Sequence, residues 1–532
     1  MHTLPPEIQF PLVALTQQCY SANPPNTPGS NRSPCSSYAE QAWRTLSEIY
    51  QEGRTGISFL QGTFLLAQLD FASGNAWRGC MSVGLGMRVI QSYGLNHGRG
   101  LLSLPDSDAE DRRRITWAFF MLDRTYNASR NYSLCLSDNH FTLPFPLTDS
   151  DSQTRSRESL HEKPPVHGQR LNQDILACLL RLYSLWGKAT EWVFEPYAVH
   201  SLPPWQSGSA LAILESEWMQ FETQFEDTHR YKNVGFKRRA REDPDSRQYL
   251  STWLCVQFLL HSIQCLLHHP FVTMVKLRNM SGNLSATFLQ KSFEASLLHS
   301  RWIARFIKEM SEVQLKISDP FFGYLAAIAA TIQIEHTGNK NPKIALLLNN
   351  EYRVLIGFIK ELSAKWRNMQ VLLDRLNELA SRHQNYGSLF YNQEGFSGQL
   401  SNMATSSNLP RMSTEDEDLM WDIVDLTSLS SSSNAPGLGG LGTKSRDDMH
   451  GYAQRGTNRP SSSDIGSGLH IGATTAYDLT SINPIEGEPR SAIAGETSEW
   501  PFGNRAHHAD IGPGVLVPDI PDWMIFGDLI NE

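Results

Sequence analysis

Four residue patterns in this sequence are of types and spacings that could do chemistry. Lys237-Arg238-Arg239-Ala240-Arg241 is the densest run of positive charge. A run of this kind can serve as a nuclear-import signal, with Lys237, Arg238, Arg239 and Arg241 as its cations, or be a solvated loop between helices. No aromatic residue is interleaved with it in a way that suggests base stacking, so direct DNA binding by this chain is not expected. His261, Cys265, His268 and His269 crowd one apolar stretch. The i, i+4 spacing of His261 and Cys265 is that of a metal-ligand pair on a helix, but a helix C-terminus accepting histidine donors accounts for the group equally well, and no metal is assigned. Finally, two stretches mix carboxylates with bulky apolar side chains, Glu415 to Leu426 and Pro521 to Ile530. Such segments stay solvated through their acids and fold as short helices into an apolar groove on a partner. Trp421, Ile423 and Leu426, and likewise Trp523, Phe526 and Leu529, are the anchors this chemistry would use, with a helix docked on the protein's own domain as the alternative.

Catalytic constellations are missing. There is no serine elbow, HExxH or phosphate loop. Gly84-x-Gly86 lacks a third glycine and a preceding strand, and its mid-helix position points to close helix packing. The seven cysteines are dispersed without a CxxC, as free thiols in a reducing compartment would be. The opening Met1-His2-Thr3-Leu4-Pro5-Pro6 has no basic run leading into an apolar one, so no secretory signal is expected. The longest apolar run, Phe321 to Ile334, is too short to cross a bilayer and is expected to be a buried helix.

The elements that must position these groups are helical. From Tyr38 onward apolar residues recur with helical period: Leu60, Phe64, Ala67 and Phe71 share one face, and Ile115, Phe119, Leu122 and Tyr126 another. Gly94 stands where a helix ends with positive φ, and Ser107 or Asp108 should cap the helix after Pro105. Residues 147–170 look like a polar loop. Further helices are expected near 171–195, 209–228, 246–268, 284–315, 320–337 and 343–383, packed as one all-α domain over 1–385. Beyond it the composition shifts: residues 391–532 carry 20 acidic and 7 basic side chains, against 35 and 39 in the rest. With Ser430 to Ser433 and the glycine-rich 437–442 inside it, 386–532 is expected to be a disordered acidic tail and a candidate activation region.

An ordered set of short motifs between 57 and 146 narrows the identification. It comprises Gln61 before an aliphatic helix, Gly94-Leu95-Asn96-His97, Arg113-Arg114-Ile115-Thr116-Trp117, Asp123-Arg124 and Leu143-Pro144. In this order they resemble the fungal-specific transcription factor domain, the helical regulatory middle region of the zinc-cluster factors. Leu266-Leu267-His268-His269-Pro270 and the segment after Pro320 extend the resemblance, which covers roughly residues 8–375. Two departures stand out. Ser129-Arg130-Asn131-Tyr132 replaces the family's glycine-arginine-proline, and the N-terminal six-cysteine zinc cluster is not in the sequence, which looks as if it begins inside the regulatory domain.

The resemblance implies a nuclear regulator of a fungal gene set, in all expectation a metabolic one, secondary metabolism included. It would reach DNA through a partner or through an N-terminal zinc module, and its tail would recruit coactivators. Homo- or heterodimers and a small-molecule inducer are the other partners implied; no membrane and no cofactor within this chain are expected. The rival readings are a non-activating decoy that inhibits a full-length relative and, more remotely, an enzyme on a helical scaffold. On the residues alone, Arg113 and Arg114 are expected to pair with nearby acids beside a buried Trp117, and Asp123-Arg124 to form a buried ion pair rather than a catalytic one.

Overall fold

Residues 4–20, 34–98, 101, 104–127, 129–146, 174–195, 202–278, 280, 283–335, 342–386 and 412–429 are described by a computed structural model. They form α1 (Pro6–Tyr20), α2 (Pro34–Gln51), α3 (Ile57–Ala72), α4 (Ala76–Ser92) and α5 (Asp106–Tyr126). Next come α6 (Ile175–Phe194), α7 (Ala210–Gln224), the short α8 (Tyr231–Val234) and α9 (Phe236–Glu242), then α10 (Arg247–Leu267) and α11 (Pro270–Leu277). The series closes with α12 (Ala286–Glu312), α13 (Pro320–Ile334), α14 (Pro342–Ser363), α15 (Arg367–Tyr386) and α16 (Thr414–Val424). The fold is all-α, with no strand among the described residues.

Helix α13 is apolar on every face, and every residue from Phe321 to Ile334 is buried. A helix without a polar side must be enclosed on all sides, and α10, α12, α14 and α15 surround it. On the N-terminal side α1 packs on α2 and α3, α3 on α4, α4 on α5, and α5 on α6, which joins this half to α10. Among the described residues the run Pro244 to Leu277, not Phe321 to Ile334, is the one long and apolar enough to cross a membrane by length and composition; its apolar window lies wholly inside the fold, so it is a core element.

Local chemistry explains the breaks. Gly94 ends α4 with φ 65°, and a Cβ on Gly86 would lie 2.1 Å from the ring of Phe119, so glycine is what lets α4 and α5 approach. Helix α5 starts at Asp106, before the expected Ser107 or Asp108 cap, because Pro105 supplies the turn and the acids enter the first helical turn, where the dipole favours them. The 343–383 stretch is two helices: the chain turns at Trp366, whose indole N–H donates to the Ser318 carbonyl at 2.5 Å. The expected loop at 147–170 lies outside the described residues.

The histidine-rich helix end is a structural hinge. His269 caps α11 through Nδ1, which accepts from the Phe271 N–H at 3.3 Å. Nε2 must then carry the proton and donates to Thr331 Oγ1 at 2.9 Å, tying the α10–α11 corner to α13. Pro270 follows at the first helical position, where a missing N–H costs nothing. His268 contacts Glu215 and Ser292, His261 lies 2.8 Å from His299 and stacks on Trp302, and Cys265 donates to Ser296 O. The four residues therefore serve separate contacts, with no donation to the helix's own C-terminal carbonyls among those described. No group of three or more potential ligands occurs among the described residues.

Burial pushes His269 down to about 3. The unfolded chain binds a proton there near pH 6.5 and the folded one does not, so stability is lost as pH falls from 6.5 toward 3. His269→Asn keeps a capping acceptor and cannot titrate. Urea unfolding at pH 7.5 and 4.5 should show the wild type losing about 2–3 kcal/mol more on acidification than the variant, from roughly 1.36 kcal/mol per pH unit. Parallel losses would mean that His269 is not held neutral.

Candidate functional site

Several of the motif residues converge on one loop. Arg124 is fully buried, and its guanidinium donates to Asp123 Oδ2 (2.6 Å), the Leu136 carbonyl (2.8 Å) and Asp138 Oδ1 (2.7 Å) while lying 3.9 Å over the Phe120 ring. Asp123 Oδ1 accepts from Asn127 Nδ2 at 2.7 Å and from the Cys135 N–H at 3.0 Å. Ser184 of α6 donates to the other oxygen of Asp138. The pair thus fastens the chain after α5 to both α5 and α6. Trp117 closes the same region by donating to the Pro144 carbonyl at 3.0 Å and packing on Phe120, Phe141 and Phe145. Leu95 is buried, and His97 Nδ1 lies 3.3 Å from Thr142 Oγ1. Gln61 is buried on α3, away from this cluster; Arg113 and Arg114 pair with Glu110 one turn back. All are structural contacts.

What the pinned loop presents is Arg130. The Ser129 hydroxyl accepts from the N–H groups of Asn131 and Tyr132, closing a turn with Arg130 at its tip. This is the tetrapeptide that departs from the glycine-arginine-proline pattern. Its backbone N–H and Nε both donate to Asp425 Oδ2, at 3.2 and 3.3 Å, and its Nη2 reaches Asp422 Oδ1 and Ser428 Oγ at 3.1 Å each. The carboxylate of Asp425 is fully buried, and its other oxygen accepts from the N–H and Oγ1 of Thr427.

Residues 412–429, expected as part of an unstructured tail, therefore return to the domain as α16 and a following 3₁₀ turn, Leu426–Leu429. The reason is apolar density: Leu419, Met420, Trp421, Ile423, Val424, Leu426 and Leu429 are all buried. Trp421 packs edge-on against Phe271 at 4.8 Å, with Phe194 at 6.1 Å. Ser413 caps the helix, accepting from the Asp416 N–H at 3.1 Å and donating back to its carboxylate at 2.6 Å. Tyr324 of α13 donates to the Val424 carbonyl and Arg375 to that of Asp422, which satisfies the helix C-terminus.

Three further arginines complete a clamp around the acids. Arg278 pairs with Glu417 at 2.8 Å, Arg375 with Asp422 at 3.4 Å, and Arg382 with Asp416 at 2.9 Å and Glu415 at 3.3 Å. The four clamp side chains are between 22% and 34% exposed, so salt screens them in part. The indole N–H of Trp421 is buried without a hydrogen-bond partner among the described residues. The expected anchors Trp421, Ile423 and Leu426 are thus covered by the protein itself; Trp523, Phe526 and Leu529 lie outside the described residues.

The basic run is α9 rather than a loop. Lys237 pairs with Glu312 at 2.6 Å, Arg239 lies 5.4 Å over Tyr249, Arg241 reaches the Glu312 carbonyl at 3.5 Å, and Arg238 is exposed. Beside it, a cleft lined by Ala240, Pro244, Arg247, Leu250 and Val313 holds about 40 Å³. That is far below the ~300–1,000 Å³ of a small-molecule site, so it is no inducer pocket.

The clamp's least screened element is the Arg130–Asp425 pair. Arg130→Ala should strand a buried carboxylate and weaken docking of 412–429 by about 2–3 kcal/mol, a figure lowered from that for fully buried pairs because Arg130 is partly exposed. Hydrogen exchange across 414–429 should speed up by a factor of about 30–160. Adding Asp425→Asn, which keeps an acceptor for Thr427 but removes the charge, should recover at least half of the protection; no recovery would mean that the pair is not the latch.

The fungal specific transcription factor domain profile matches residues 17–254. The Zn(2)-C6 fungal-type transcription factor FTF1c of Fusarium oxysporum f. sp. lycopersici is 22% identical over 272 residues, covering 49% of this chain and 28% of its own length. FTF2 of the same organism is 20% identical over 272 residues, 49% of this chain and 24% of its own. An uncharacterized transcriptional regulatory protein of Schizosaccharomyces pombe is 23% identical over 201 residues, 32% of this chain and 28% of its own. The chain thus spans about a quarter of the length of these relatives, which are named as transcription factors or regulators, not enzymes. No solved structure matches it.

Proposed function

We propose that this chain, whose residues 17–254 match the fungal specific transcription factor domain, is a nuclear transcription regulator that stores an activation segment on its own regulatory domain. The single observation that carries this reading is the docking of α16, an acidic helix whose bulky side chains face inward and whose carboxylates are gripped by four arginines. The composition is that of a segment built to enter a coactivator groove. DNA would be reached through a partner or through an N-terminal zinc module, and the gene set would be metabolic. The exposed part of α9 around Arg238 is the candidate import signal, and recognition as an extended peptide would require this short helix to unwind.

The covered anchors also favour a second reading, a decoy that pairs with a longer relative and never activates. Reporter output separates the two. Fused to an unrelated DNA-binding domain, residues 391–532 should activate several-fold more than the full chain, and Arg130→Ala should raise the full chain toward that level. Further substitution of Trp421, Ile423 and Leu426 by alanine should remove the gain. If Arg130→Ala frees the helix by hydrogen exchange yet output stays flat, the storage reading fails and the decoy stands.

A further inference from the structure

We infer that the groove holding residues 412–429 has a second ligand in the same chain, the segment from Asp519 to Glu532, which competes with α16 for it. The groove residues define what a ligand must offer. A tryptophan goes against Phe271, two apolar residues go into the fully buried Ile423 and Val424 positions, a carboxylate meets Arg130, and a leucine follows. In α16 these are Trp421, Ile423, Val424, Asp425 and Leu426. The C-terminal segment offers Trp523, Ile525, Phe526, Asp528 and Leu529 in the same order, with Gly527 as one extra residue before the carboxylate. Glycine is the residue best able to absorb such an offset, because it adopts either sign of φ at little cost.

Charge supports the same assignment. Residues 519–532 contain Asp519, Asp522, Asp528 and Glu532 and no Lys or Arg, opposite a site that presents Arg130, Arg278, Arg375 and Arg382. Phe526 is larger than Val424, whose site is fully closed. That makes the second ligand the weaker of the two, raised to a competitive level by attachment to the same chain. Its binding turns α16 outward and exposes Trp421. The consequence for activation rests on the storage reading, whereas the competition itself is measured independently of it.

The test uses the full chain and a synthetic peptide of residues 517–532. In the variant Trp523→Ala/Phe526→Ala/Leu529→Ala, amides of 414–429 should exchange at least threefold more slowly than in the wild type. Added peptide should restore fast exchange saturably, and its Trp523→Ala form should not. By fluorescence anisotropy the labelled peptide should bind a chain in which both sets of anchors are replaced (the three above together with Trp421→Ala/Ile423→Ala/Leu426→Ala), and adding Arg130→Ala to that chain should weaken binding at least tenfold. Equal exchange in variant and wild type, or peptide binding that ignores Arg130, would overturn the inference. So would exchange that depends on protein concentration but not on the three C-terminal side chains, since a second copy would then be the competitor. A flat reporter response alongside these exchange shifts would leave the competition standing and remove only the storage reading.

Discussion

The buried contact between Asp123 and Arg124 is the constraint on which the rest of the molecule's architecture leans. An arginine with no exposure survives in a core only when its charge and most of its donors are met, and here a carboxylate, a carbonyl and a second carboxylate meet both terminal nitrogens while an aromatic ring covers one face. Those partners lie on α5, on the irregular chain after it and, through Ser184, on α6. Gly187 on α6 is needed at the same place, since a Cβ there would lie 2.6 Å from Arg124 Cγ. A segment without regular structure is thereby held as firmly as a helix. Arg130 sits at the tip of that segment, so its position is inherited from a contact that it does not itself make.

The second consequence runs through α13. Because that helix is apolar all round, it has to be enclosed, and its neighbours leave Tyr324 to meet whatever covers the last side. Tyr324 is buried and donates to the Val424 carbonyl, so α16 completes the enclosure at that point. Desolvation pushes the Tyr324 hydroxyl well above its ordinary range, which keeps it a donor at any physiological pH. The central core and the docked helix α16 therefore share residues, and a change at one is felt at the other.

Much of this was legible in the sequence where partners are close along the chain or where periodicity speaks. The buried Trp117, the Asp123–Arg124 pair and the glutamate partner of Arg113 and Arg114 follow from helical spacing and side-chain type, and the all-α architecture from the 3.6-residue period. The latch was not legible, because Arg130 and Asp425 are 295 residues apart. Arg278, Arg375 and Arg382 were missed for the same reason: each is an unremarkable surface-type residue until the acidic helix is laid across them. One weak signal existed, since Arg375 and Arg382 are seven residues apart and so share a face of α15. The acidic-aromatic pattern of 415–426 was readable as a docking helix, but nothing local says whether its groove belongs to a partner or to the same chain. Only apolar density, seven buried side chains within 419–429, separates this stretch from the serine- and glycine-rich sequence after it.

The chemistry of the clamp argues for reversible docking. A helix kept only to complete a core needs apolar complementarity, and replacing ionic contacts by apolar ones of the same volume is often neutral or stabilising. Here a stretch rich in large apolar side chains also carries Glu415, Asp416, Glu417, Asp422 and Asp425, all facing arginines that remain partly in water. Partly exposed pairs add little to affinity but much to register and to the speed of encounter, and they weaken with ionic strength. An interface that combines a desolvated apolar face with screened charges is specific without being tight, which is the property that the storage reading requires.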